Sequence, residues 1–200
     1  RLTITDEQDG LYHVQVKGLQ HGKIVSENRL ITCIAGALNP YTHFQEFIQS
    51  AENPDLRFIV SNTTEAGLMF NPSDQNPEVL PESFPAKLTQ LLFHRFKFFQ
   101  GDPERGLILM PCELIEKNGA FLKNILLQYC ALWKLPDAFI QWLTNHNTFC
   151  NSLVDRIVPG FPKETIDELQ EVTGFEDHRV VSAEPFYLWV IEAPSFVQQQ

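Results

Sequence analysis

An α/β fold with a mainly parallel sheet is what this sequence predicts, and three observations carry the prediction. Short, continuous apolar runs recur at "LRFIVSN" and "GLILMP". Stretches with apolar residues at helical spacing lie between and after them, and the two kinds of segment alternate along the chain. A continuous run of this length fits a strand buried on both faces, whereas a strand with one wet face alternates. Strands alternating with amphipathic helices give a parallel sheet with flanking helices.

The elements follow in order. "GLYHVQVKG" alternates Leu11, Val14 and Val16 with polar partners, and "KIVSENRLITCI" follows a His21-Gly22 turn, so residues 11 to 34 read as a β-hairpin. From Asn39-Pro40 to about Ala51, Tyr41, Phe44, Phe47 and Ile48 fall at helical spacing. "LRFIVSN" is then a buried strand. A Pro-rich loop leads to a helix with a stripe of Leu88, Leu91, Leu92, Phe96 and Phe99; Ser83 suits its N-cap and Pro85 its first turn. "GLILMP" is the next strand, followed by a long helix carrying Leu122, Ile125, Leu126, Tyr129 and Trp133, and by a shorter one from about Pro136 to Leu143. "NTFCN", "VDRIVPG", a short helix near Lys163 to Val172 and the strand-like "FYLWVIEAP" complete the chain.

Composition excludes several functions. With 15 Lys and Arg against 25 Asp and Glu, the net charge is −10, and no basic cluster offers a surface to nucleic acid or an anionic membrane. No apolar run approaches the roughly 18 residues of a membrane span. Cys33, Cys112, Cys130 and Cys150 are far apart among apolar neighbours, which fits reduced thiols in the cytoplasm. The six histidines show neither HExxH nor His-x3-His spacing, so no metal site is expected.

Open α/β sheets bind ligands beyond the carboxyl ends of their strands. Here "FIVSN" runs into Thr63, Thr64, Glu65 and Gly67; "LILMP" runs into Cys112, Glu113, Glu116, Asn118 and Gly119; "NTF" runs into Cys150, Asn151 and Ser152. Three successive strand ends thus deliver hydrogen-bonding or carboxylate side chains, as a cofactor or substrate crevice requires.

"SNTTEAG", "PCELIEKNG", "NTFCNSLVDRIVPG" and "AEPFYLWVIEAP" resemble, in order and spacing, the mannitol dehydrogenase family of polyol-specific long-chain dehydrogenases and uronate reductases. The VDRI-x-P element is that family's signature. Further segments, "QDGLY", "PAKLTQLLFHRF" and "AFIQWL", are most similar to the branch that interconverts tagaturonate and altronate. The resemblance implies a Rossmann-like domain that binds NAD, a sugar-acid substrate and hydride transfer. It also implies that this chain is the central and later part of that domain, over residues 1–192, with 193–200 beginning the connection to a helical substrate domain. The Gly-rich first turn and the catalytic lysine of the family lie outside it. The 200 residues alone are therefore expected to show no reductase activity.

The resemblance assigns roles residue by residue. Asn151, just before S-x-V-D-R-I, matches the asparagine that donates its amide to the carbonyl oxygen; otherwise it is a backbone cap. Glu65 either relays protons or interacts with the catalytic lysine, with its pKa raised by burial, or it caps the following turn. Ser61, Asn62 and Thr63, with Cys112, Glu113 and Asn118, lie where the fold runs the chain beneath the nicotinamide ribose. Cys112 itself is expected as a small wall residue. Glu184, Trp189 and Glu192 are expected by the seam between domains, near the substrate, with Trp189 as packing and Glu192 as a substrate-proximal residue. Asp155 and Arg156, an adjacent acid and base in an apolar frame, are expected as a fixed ion pair that braces the loop and holds Asn151 in place; otherwise they are a catalytic pair. Asn147 is expected as a turn or capping residue. Fructuronate reduction and mannitol 2-dehydrogenation are the neighbouring activities, and a non-catalytic α/β module is the alternative of another class.

Overall fold

The computed structural model describes residues 8–195. They form two compact units: residues up to Asn39 with Asp155–Leu188, and Pro40–Val154 with the residues from Trp189 onward.

The first unit is built on a hairpin. Strands β1 (Tyr12–Gln20) and β2 (Lys23–Ile31) pair antiparallel, from Tyr12 opposite Ile31 to Gln20 opposite Lys23. The two-residue His21-Gly22 connection has φ of 51° and 74°, the mirror-image geometry that matches strand twist. The inward face of β1 differs from the expected one: His13 and Gln15 are buried with Val16, while Leu11 is exposed. Asp177 explains the reversal, because its carboxylate accepts the His13 backbone N–H (2.6 Å) and lies 3.0 Å from His13 Nδ1. A short strand that the sequence did not announce, Val181–Ala183, pairs parallel with β1 at Val14 to Val16. The helix expected near Lys163 begins later, at Ile166, and runs to Thr173, ending on Gly174 in left-handed geometry.

The second unit carries the parallel sheet. Strands β3 (Phe58–Ser61), β4 (Ile108–Pro111) and β5 (Thr148–Phe149) lie in that order and are parallel. The expectation that β3 is buried on both faces fails: Phe58 and Val60 are exposed, because among the described residues β3 has β4 as its one strand neighbour. Helices α1 (Phe44–Gln49), α2 (Phe84–Phe98), α3 (Asn118–Leu132) and α4 (Asp137–Asn145) complete the unit. Ser83 caps α2 by accepting the Ala86 N–H. The apolar stripes of α2 and α3 meet Leu107 and Leu109 of the β4 segment in one core that includes Leu92, Leu126, Tyr129, Phe139 and Trp142. Strand β6 (Asn151–Asp155) pairs with the last strand, Leu188–Glu192.

Two polar devices lock this unit. Arg95, 1% exposed, donates to the carbonyls of Ala51, Asn53, Leu56 and Arg105. Asn147 caps as expected: its amide donates to the Trp142 carbonyl in the last turn of α4, and its oxygen accepts the Leu107 N–H. At Gly106 an added Cβ would stand 1.5 Å from the His146 carbonyl oxygen, so only glycine lets the chain enter β4 beside that loop.

Candidate functional site

The carboxyl ends of β3 and β4 open into a crevice of about 490 Å³ lined by Asn62, Thr63, Thr64, Glu65, Ala66, Glu113 and Leu114. Glu113 is its structural centre. It is 2% exposed, and its carboxylate accepts the Ser61 hydroxyl (3.0 Å), the Thr63 N–H (2.9 Å) and the Thr63 hydroxyl (2.9 Å). A buried carboxylate needs such donors, and here they tie the end of β3 to the end of β4. The Cys112 N–H donates to the Ser61 carbonyl at 2.7 Å and extends the same tie.

Asn118 joins the third strand end. Fully buried at the start of α3, its amide nitrogen donates to the carbonyls of Pro111, Glu113 and Ser152, each at 2.9 Å. Its oxygen accepts the Ser152 N–H. One side chain therefore links the residue after Asn151 to the wall of the crevice. The Ser152 hydroxyl donates to the Pro111 carbonyl and lies 3.8 Å from the Cys112 sulfur. Burial pushes the Cys112 thiol up, and Glu113 adds to the shift against a hydrogen bond from Ser152. A nucleophile needs the opposite shift, which agrees with a wall role.

Of the residues expected around the cofactor, Ser61, Thr63, Cys112, Glu113 and Asn118 come together and bond to one another and to the neighbouring Pro111 and Ser152. Asn62 is exposed on the crevice. Glu65 is exposed rather than buried, on a single turn of 3-10 helix. It does not cap that turn, because Thr64 does so by accepting the Gly67 N–H at 3.1 Å. The tight packing of the turn rests on Gly67, where a Cβ would meet the Thr63 hydroxyl at 2.2 Å.

Asn151 is half-buried at the start of β6, and both ends of its amide are engaged. Its oxygen accepts the Ala120 N–H in the first turn of α3 at 3.1 Å, and its nitrogen donates to Glu192 Oε2 at 2.8 Å. The pairing of Asn151 with Glu192, 41 residues apart, was not legible in the sequence, although both residues were singled out. The brace expected from Asp155 and Arg156 takes another form in the first unit. No ion pair joins them among the described residues. Arg156 donates to the Glu184 carbonyl and lies over the Tyr187 ring, while the Glu184 carboxylate accepts the Ile157 N–H at 2.6 Å. Adjacent residues on an extended chain point to opposite sides, which separates Asp155 from Arg156. Trp189, expected as packing, is 47% exposed. No cluster of His, Cys, Asp and Glu able to hold a metal ion occurs among the described residues, and no helix there is long and apolar enough to cross a membrane.

Comparison with known proteins agrees with this architecture. The chain is 47% identical over 194 residues to an altronate oxidoreductase of Yersinia enterocolitica and 49% identical over 193 residues to one of Bacteroides thetaiotaomicron. Each match covers 96% of this chain and 40% of the relative, so the chain spans about two fifths of the curated relatives' length. Among solved structures, a D-sorbitol dehydrogenase in substrate-free form shares the fold with a TM-score of 0.78 at 24% identity, over 94% of this chain and 40% of that one. Pseudomonas fluorescens mannitol 2-dehydrogenase, in a ternary complex with NAD and D-mannitol, superposes with a TM-score of 0.75 at 25% identity, over 94% of this chain and 39% of that one. The family described as the mannitol dehydrogenase Rossmann domain matches residues 6–200, and the chain belongs to it.

Proposed function

We propose that the full-length protein carrying this chain is an NAD-dependent oxidoreductase that interconverts tagaturonate and altronate, and that residues 1–192 are the central and later part of its cofactor domain. The observation that carries the reading is the clamped amide of Asn151 beside strand ends tied together by Asn118. Identity of 44–49% to altronate oxidoreductases, including that of Bacillus subtilis, supports the choice of substrate.

The crevice fits the nicotinamide-ribose half of a dinucleotide. Its rim carries an exposed amide on Asn62 and hydroxyls on Thr63 and Thr64, groups that suit a ribose diol and a carboxamide, and it lacks the basic or Gly-rich lining that a pyrophosphate requires. Asn62 and the Thr63–Thr64 segment would hold the cofactor, with Ser61, Cys112, Glu113 and Asn118 shaping the wall. NAD, when bound, supplies the hydride chemistry. The chain's own part is electrostatic: as a ketone is reduced, negative charge grows on its oxygen, and a fixed Asn151 N–H donates to that atom. Glu65, an exposed carboxylate lining the crevice, is the group we assign to proton exchange with solvent. The four unpaired cysteines support a cytoplasmic setting for this chemistry.

The test is NADH oxidation by the full-length protein with tagaturonate, fructuronate and fructose side by side. Tagaturonate is expected to give the highest kcat/KM, and Asn151→Ala to lower turnover about tenfold to a thousandfold. Preference for fructose would move the assignment to mannitol 2-dehydrogenase, the reading favoured by the likeness to the Pseudomonas fluorescens enzyme.

A further inference from the structure

We propose that Glu192 is a positioning residue that fixes the amide of Asn151 for donation to the substrate carbonyl oxygen; the proposal rests on the role of Asn151 given above. The argument starts at Gly119. A Cβ there would stand 2.2 Å from the Cys150 carbonyl oxygen and 3.1 Å from the Asn151 nitrogen, so glycine lets the first turn of α3 lie directly against this backbone. That approach brings the Ala120 N–H to within 3.1 Å of Asn151 Oδ1. An N–H at this end excludes the flipped amide, which would set donor against donor. The nitrogen must then face the other way, and Glu192 Oε2 receives it at 2.8 Å.

An amide nitrogen carries two hydrogens. With one held by Glu192 and the oxygen held by Ala120, the remaining N–H has a fixed direction, which a half-buried side chain otherwise lacks. The Glu192 charge itself opposes catalysis, since a carboxylate beside a growing oxyanion repels it. Holding and charge therefore predict opposite results when the charge alone is removed. Glutamine keeps an acceptor oxygen and loses the charge.

The experiment is a double-mutant cycle on the full-length protein, with NADH and tagaturonate, reading kcat and KM separately. Glu192→Ala is expected to lower kcat about tenfold with little change in KM, and Glu192→Gln to restore kcat to the starting value or above. Adding Glu192→Ala to Asn151→Ala is expected to change nothing further, because a positioning residue acts only through the group it holds. Multiplying losses in the double variant, a change in KM alone, or unchanged kcat in Glu192→Ala beside a damaged Asn151→Ala would overturn this proposal and leave the Asn151 reading intact. Unchanged kcat in Asn151→Ala overturns both.

Discussion

The two compact units are held by different physics. In the second, Leu92, Leu126, Phe139 and Leu143 belong to one continuous apolar core, and buried polar groups such as Arg95 serve to satisfy the backbone around it. In the first, the buried apolar side chains are Val16, Leu169, Val180 and Ala183, and beside them stand His13, Gln15 and Asp177. Asp177 alone receives Gln8 Nε2, the backbone N–H groups of His13 and Arg179, and the His13 ring. Burial of apolar area is non-directional and tolerant, whereas a buried carboxylate depends on every donor around it. The first unit should therefore be the more sensitive to pH and the second to lost volume or unsatisfied carbonyls.

The largest effect is expected at Arg95. Arg95→Ala leaves the Ala51, Asn53, Leu56 and Arg105 carbonyls without their donor, the first of them buried, and should destabilise the second unit by about 3–5 kcal/mol. Trp133, Trp142 and Trp189 all lie in that unit, so tryptophan fluorescence during urea unfolding reads it directly. A loss under about 1 kcal/mol would show that water replaces the guanidinium.

Asp177 tests the other side. Burial raises its carboxyl, but the donors from Gln8, Arg179 and His13 outweigh burial and hold it below the usual range. A carboxylate with a depressed folded value stabilises above its unfolded value of about 3.9 and loses that contribution as pH falls through the folded one. Amide exchange in β1 and β2 should therefore accelerate below about pH 4. Asp177→Asn should cost about 2 kcal/mol near neutrality and flatten this acid dependence. Asp74 in the second unit is also depressed: burial raises it, and the N–H groups of Glu82 and Ser83 with the Ser83 and Tyr129 hydroxyls overcome that rise. Tryptophan fluorescence should keep its acid sensitivity in Asp177→Asn.

Smaller changes sharpen the contrast. Ser83→Ala removes the N-cap of α2 and should cost about 1 kcal/mol by the same fluorescence assay. His21→Asn should stabilise the hairpin by a few tenths, roughly 0.3 kcal/mol, because asparagine accepts the left-handed φ of that turn more readily. Slower amide exchange confined to β1 and β2 is the expected readout.

Legibility followed the same division. Where apolar periodicity set the structure, as in α2, α3 and the Ser83 cap, the pattern along the chain was sufficient, because burial of a stripe is a local property of spacing. Where polar partners distant in sequence set it, the pattern misled. Leu11 and Val14 looked like the inward face of β1, yet His13 and Gln15 are the buried residues, since Asp177 lies 164 residues from His13. At the site, Asn151, Glu113 and Asn118 were recognisable as residues, but not that Glu113 turns to the end of β3 and Asn118 to the end of β4 and to Ser152 of β6.

The sequence by itself determined the α/β class, the hairpin turn, the helix stripes and the family, because each rests on neighbours or on a fixed order of motifs. The tertiary structure alone decided that His13 and Gln15 are the buried residues of β1, that Arg156 bonds the Glu184 carbonyl and not Asp155, and that the amide of Asn151 is held between Ala120 and Glu192. Hydrogen bonds are directional over about 3 Å, and only the folded chain brings residues 31 and 41 positions apart to that distance.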